Sequence, residues 1–270
     1  MAARGFMCLM YHELERTGRP LCQSEPGYLR YVLPETKFGD QMRWLRANGW
    51  RGMSMGEALA SSETRGVALT FDDGCETDLI LAAPMLKETG CNATFYVTAG
   101  FLGNRGYLSV AQLRELSAQG FEIGCHSMTH PYLSDLDDAG LHREIVDAKD
   151  RIEQVIGKPV EHFSCPGGRY DHRAIRIART TGYRSMANSQ ISENSRSTDP
   201  FSLGRVAILR ETSQSSFQSV CRGEGLWKRR LRDSMQHSAR TIMGNSLYDR
   251  VRTRLLRGNE PGKATRKFMA

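Results

Sequence analysis

Residues 66–78 read Gly-Val-Ala-Leu-Thr-Phe-Asp-Asp-Gly-Cys-Glu-Thr-Asp. The first six, opening on the apolar run Gly-Val-Ala-Leu, have strand length and predict a buried strand rather than an exposed one. The run ends in two adjacent carboxylates. These repel each other and are costly to desolvate, so a cation or a shared proton must make the pair tolerable.

Working outward, similar short runs occupy 6–11, 93–97, 121–125, 161–165, 183–187 and 204–208. Segments of helical periodicity lie between them, near 37–48, 77–89, 109–119, 138–157 and 172–181. Strand and helix alternating about seven times predicts an α/β fold with a parallel sheet, closed as a barrel or open. In both forms ligands bind at the C-terminal ends of the strands. Asp72 and Asp73 end the run at 66–71, and His126 and His130, within "HSMTH", follow the run ending at 125. Cys165-Pro166-Gly167-Gly168 follows "EHFS", and His12 follows the first run. A parallel sheet brings all four stretches to one rim although they are far apart in sequence.

Bulk properties limit the options. A chain of 270 residues with 40% hydrophobic content supports a sizeable core. The net charge of +7 is uneven, because residues 216–270 hold 13 Lys/Arg against 4 Asp/Glu and leave residues 1–215 slightly acidic. Two parts are expected: a body over 1–215 and a basic helical extension over 216–270, with an apolar stripe among its arginines. That extension either packs on the body or contacts an anionic membrane face. No nucleic-acid-binding module accompanies the charge, so nucleic acid is not an expected partner. Seven cysteines, an odd number without Cys-x-x-Cys spacing, argue against a disulfide framework and for reduced thiols in a cytosol. Cys75, Cys125 and Cys165 read as small buried apolar residues, with Cys165 the one placed for reactivity. The first apolar run is too short for a signal-peptide core, and none reaches the ~18 residues of a membrane span, so a cytoplasmic location is expected. The sequence carries no signal for an oligomeric state.

An Asp with two His at i, i+4 is a mixed oxygen and nitrogen donor set that holds a divalent ion while leaving positions for water and substrate. One carboxylate then binds the metal while its neighbour accepts a proton from water, which is the arrangement of metal-assisted hydrolysis. Taken singly, Asp-Asp-Gly is also a common polar turn and His-x-x-x-His a pair of ordinary histidines. Their coincidence at successive strand ends is what points to a site.

On these residues the chain resembles the polysaccharide deacetylases of carbohydrate esterase family four. "TFDDG" matches that family's first motif, "HSMTH" its second, and "SCPGGRY" stands where its third, Arg-x-Pro-Tyr/Phe-Gly, belongs. "LMYHELE" and "NATFYV" are similar to segments of many members, and the likeness runs over about residues 6–210. The resemblance implies a distorted (β/α)7 barrel and one divalent metal held by Asp73, His126 and His130. Zinc is expected first, with nickel, cobalt or manganese as alternatives. It implies Asp72 as the base for the attacking water, an N-acetylated glycan as substrate, and the Gly167 N–H as an oxyanion donor.

The chain also departs from the family pattern. Ser164 replaces the third motif's Arg, which pairs with the base, and no His stands near 203–213, where the fifth motif should supply the general acid. The fourth motif's Asp and Trp are not recognisable. His12 is the expected replacement acid, and Arg205, ahead of Arg169, the expected replacement for the lost Arg. The leading expectation is an exopolysaccharide N-deacetylase. The alternatives are a hydrolase of O-acetyl esters or small amides, and a catalytically impaired glycan-binding homologue.

Overall fold

The computed structural model describes residues 5–227 and 229–231. Its strands are β1 (Met7–Tyr11), β2 (Leu14–Glu15), β3 (Leu33–Pro34), β4 (Arg51–Met53), β5 (Gly66–Phe71), β6 (Thr94–Val97), β7 (Glu122–Cys125), β8 (His162–Ser164), β9 (Ser185–Ala187) and β10 (Val206–Ala207). Seven of them follow one another around a curled sheet in the order β10-β1-β5-β6-β7-β8-β9, every pair parallel. β4 pairs beside the first half of β5, and β2 with β3 forms a separate small sheet.

The curl closes irregularly. Between β9 and β10 the contact is a single bridge, Ala187 to Leu203, supported by Leu203 N–H to the Met186 carbonyl at 3.1 Å and Asn188 N–H to the Leu203 carbonyl at 2.8 Å. This is a distorted (β/α) barrel, the closed form of the parallel sheet that the strand and helix alternation predicts and the form that the resemblance implies.

Helices cover the outer face: α1 (Pro26–Leu29), α2 (Glu35–Ala47), α3 (Met55–Ala60), α4 (Ala83–Thr89), α5 (Val110–Ala118), α6 (Asp138–His142), α7 (Ala148–Ile156), α8 (His172–Thr180) and α9 (Gln214–Cys221). π-turns lead into α4 (Asp78–Ala82) and join α6 to α7 (Arg143–Asp147). Local chemistry sets several starts. Ser54 with Glu57, and Ser109 with Gln112, form capping boxes for α3 and α5, while Asp171 caps α8.

Side chains alternate across a strand, so parity decides which residues enter the barrel. Met7, Leu9 and Tyr11 of β1, with Val67, Leu69 and Phe71 of β5, face the helices in the main apolar core. There Phe71 stacks on Tyr11 and Phe95 at 5.2 and 4.9 Å between ring centres. Cys8, Ala68, Ala187 and Leu203 face inward, with Met53, Met55 and Ala58 from the β4–α3 segment. The same parity carries Thr70 and Asp72, and on β7 Gly124 and His126, to the interior. Gly124 is required there, because a Cβ would run into the Tyr96 ring. Glu122 closes the lower end, accepting from Ser54 Oγ at 3.0 Å, Gly56 N–H at 3.0 Å and Thr94 Oγ1 at 2.5 Å.

The boundary expected at 215/216 falls within α9, whose Phe217, Val220 and Cys221 are buried and whose Phe217 ring meets Trp44 edge-on at 5.8 Å. Residues 228 and 232–270 of the expected basic extension lie outside the described residues, and the expected membrane contact falls largely on them. Among those described, no helix is long and apolar enough to cross a membrane.

Candidate metal centre and active site

At the C-terminal rim, Asp73 Oδ1 lies 3.6 Å from His126 Nε2 and 3.4 Å from His130 Nε2. Donor atoms of these three residues all fall within 4.8 Å of one another. Several features fit them to a cation. Asp73 Oδ1 is buried and has no hydrogen-bond partner among the described residues, an expensive state for a carboxylate oxygen unless a metal or proton occupies the space. His126 Nδ1 lies 2.8 Å from the Ser164 carbonyl, which can only accept, so Nδ1 carries the proton and Nε2 presents its lone pair to Asp73. Burial pushes the His126 pKa down to about 4, and the nearby Asp72 only partly opposes this, so the ring is neutral and able to ligate.

The backbone is bent to make this arrangement. Asp73, Ser127 and His130 all have positive φ, at 80°, 68° and 65°, and they are the only non-glycine residues that do among those described. For L-residues this conformation is costly, and here it is confined to the two motif loops. The "HSMTH" loop is held from behind by buried Glu144, which accepts from the N–H groups of Met128 and Thr129 at 2.8 Å each and from Thr129 Oγ1 at 2.7 Å. Glu144 carries no motif signature.

Asp72 faces a different partner. The Arg205 guanidinium, fully buried, donates Nη1 to Oδ1 at 2.7 Å and Nη2 to Oδ2 at 2.8 Å. It also donates Nη2 to Ser164 Oγ at 2.7 Å and Nε to the Asn188 carbonyl at 3.0 Å. Burial alone would raise the Asp72 pKa. The Arg205 charge outweighs it, with smaller help from His126 and His12, and holds the carboxyl well below the usual range. Ser164, standing where the family pattern has Arg, is small enough to leave room for the guanidinium of Arg205, which arrives from the residue just before β10. Arg169 lies elsewhere, stacked over the Tyr132 ring at 3.8 Å.

His12, Asp72, Asp73, His126, His130, Gly167 and Arg205 all line one cavity of about 900 Å³. His12 is half-buried and packs against Tyr31 at 4.6 Å between ring centres. Burial lowers its pKa, and Asp73 and Asp72 oppose that shift. Gly167 sits at φ 60° in the turn Pro166–Gly168, where a Cβ would come within 2.6 Å of the Tyr132 ring. Tyr31, Phe101 and Tyr132 also line this cavity, and no motif marked them in advance. Cys165 is fully buried, which raises its thiol pKa and works against reactivity.

Comparison with known proteins bears on the sequence family and the fold. The polysaccharide deacetylase family model matches residues 60–186. YxkH of Bacillus subtilis (strain 168), whose name places it among the polysaccharide deacetylases, is 27% identical over 77% of this chain and 73% of its own length. The peptidoglycan-N-acetylglucosamine deacetylase of Bacillus cereus is 30% identical over 44% of this chain, a match that spans about half (54%) of that relative. Among solved structures, Streptococcus pyogenes deacetylase PplD in complex with acetate superposes with a TM-score of 0.71 at 24% identity, covering 80% of this chain and 98% of that one, a likeness of fold. With the two strand-end motifs converging on one rim of a similar barrel, the chain resembles the polysaccharide deacetylases in sequence over residues 60–186, just under half of its length, and in fold.

Proposed function

We propose that this protein is a metal-dependent N-deacetylase acting on N-acetylated sugars of a bacterial polysaccharide or its lipid-linked precursor. The observation that carries the reading is the convergence of Asp73, His126 and His130 donor atoms within 4.8 Å, beside an Asp72 clamped by Arg205, in one cavity. Asp73, His126 and His130 are the residues that would hold a divalent ion, zinc by preference for this oxygen and nitrogen donor set. When bound, the ion supplies Lewis-acid polarisation of the acyl oxygen and acidification of a water.

The chain's own residues have separable tasks. Asp72 accepts the proton of the attacking water, and Arg205 keeps that carboxylate ionised and aimed. The Gly167 N–H donates to the oxygen that gains charge as the acyl carbon becomes tetrahedral. His12 donates a proton to the departing nitrogen, so that acetate and a free amine leave. Among the described residues lining the cavity, the only other histidines are the two proposed ligands. The same reading takes the basic segment within 216–270 as contacting an anionic membrane face on the cytoplasmic side, which vesicle sedimentation of the full chain against one ending at residue 231 would test.

The deciding experiment couples metal analysis to acetate release from N-acetylhexosamine oligomers. One equivalent of metal at this site, lost in Asp73→Ala together with acetate release, is expected. A chain that takes up no zinc, nickel, cobalt or manganese at this site would overturn the proposal. Retention of metal without turnover in the wild type would favour the glycan-binding alternative, and release from O-acetylated sugars alone would favour the esterase.

A further inference from the structure

A second set of metal-binding side chains lies beside the first site. Glu13, Cys22 and Cys75 are 9 and 53 residues apart, so no spacing rule connects them, yet an oxygen of Glu13 and the two sulfurs fall within 4.8 Å of one another. The sulfurs are 3.5 Å apart. A tetrahedral zinc with Zn–S of about 2.3 Å places two thiolates about 3.8 Å apart, so the pair needs to open by only a few tenths of an ångström.

The surroundings hold these atoms in place. The Cys22 N–H lies 3.1 Å from both carboxylate oxygens of Glu13, and Tyr28 donates its hydroxyl to Glu13 Oε2 at 2.9 Å. Cys22 Sγ sits 3.0 Å from the Gly106 carbonyl. Gly106 has φ 88°, and a Cβ there would come within 2.9 Å of that sulfur, so the loop is shaped around the thiol. Glu13 and Cys75 are buried, and Cys22 is half-buried. Asp78, three residues beyond Cys75, is also fully buried, and neither of its carboxylate oxygens has a hydrogen-bond partner among the described residues. Its electrostatic neighbours include Cys22 and Glu13. Arg19 is the cation that acts on Glu13, but it is paired with Glu76, and a bound cation would offset the cost of burying the remaining carboxyls and thiols together.

We infer that Glu13, Cys22 and Cys75 form a second metal site, selective for a thiophilic divalent ion such as zinc. Two sulfurs exclude magnesium and calcium, which take oxygen donors. Three protein ligands leave a fourth position to the Gly106 carbonyl or water. The site clips the loop carrying Cys22 to the residue two positions beyond Asp73, so its role is to fix the Asp-Asp-Gly turn. The inference of this site does not rest on the proposed reaction.

The test uses full-length protein, reduced, stripped with chelator and reloaded with zinc or cobalt(II). Two equivalents of zinc are expected in the wild type, and one in each of Cys22→Ser, Glu13→Gln and Asp73→Ala. With cobalt, a thiolate-to-metal charge-transfer band in the near ultraviolet is expected in the wild type and in Asp73→Ala, and its loss in Cys22→Ser. Zinc is also expected to slow alkylation of Cys22 in the wild type, a readout that needs no variant. Absence of the thiolate band from both the wild type and Asp73→Ala overturns the site, as does a Cys22–Cys75 disulfide that re-forms in the presence of excess zinc. Failure of the proposed deacetylation would leave these readouts unchanged.

Discussion

Arg205 grips Asp72 through two parallel hydrogen bonds, of 2.7 and 2.8 Å, with both side chains almost wholly removed from solvent. The pair joins the segment entering β10 to the end of β5 across the intervening β1, and Ser164 on β8 completes it. Such a fork-to-carboxylate contact is strong and directional, and each partner is expensive to bury without the other.

Removing one partner therefore leaves a buried charge uncompensated. Arg205→Ala is expected to destabilise the protein by about 3–5 kcal/mol, read as a lowered urea midpoint. Arg205→Lys keeps the charge but not the fork, and is expected to retain more stability while still losing acetate release, because Asp72 is no longer aimed. Equal stability of the wild type and Arg205→Ala would contradict the burial argument.

His162 predicts an acid limb in stability away from the metal centre. It is buried on β8, with Nδ1 2.8 Å from Ser185 Oγ and Nε2 without a hydrogen-bond partner among the described residues. Burial lowers its pKa below the ordinary value near 6.5, with Glu122 opposing. The unfolded chain therefore binds a proton that the folded chain resists. Stability is full above about pH 6.5 and is lost as pH falls through the lowered folded value. Urea midpoints measured between pH 7 and 5 should fall, and should fall less in His162→Gln.

Glu144 orders the second motif without touching the metal-binding atoms. Glu144→Gln keeps one acceptor oxygen and loses the other, and it is expected to weaken metal binding by about 10- to 100-fold, the usual scale for residues that orient ligands. Competition with a coloured chelator measures this directly. An unchanged affinity would show that the loop holds its shape through the Ser127 and Thr98 contacts alone.

His12 as the proton donor predicts a kinetic signature. Its pKa is lowered by burial, so the protonated fraction falls as pH rises above a value under 6.5, and kcat should decline on that alkaline side. His12→Gln should lower kcat by about 10²- to 10⁴-fold, with little change in KM, and should flatten that limb. A variant with an unaltered pH profile would remove His12 from the chemistry.

How far local sequence reaches is visible element by element. The barrel strands and their major helices follow from period and length, because a run such as 66–71 must bury both faces and parity then sends Asp72 inward. β4 and α1, three and four residues long, escape notice, since so few residues carry no period. The Asp73, His126 and His130 set is legible because strand ends share a rim in any parallel sheet. By contrast, the Arg205 fork on Asp72, the Glu144 anchor and the meeting of Glu13, Cys22 and Cys75 depend on distances between chain segments 9 to 133 residues apart. Sequence by itself determined which residues end strands and on which face. Only the tertiary structure decided which of them touch, because side-chain contact depends on how the sheet curls and how its loops return, and neither is encoded in any short window of residues.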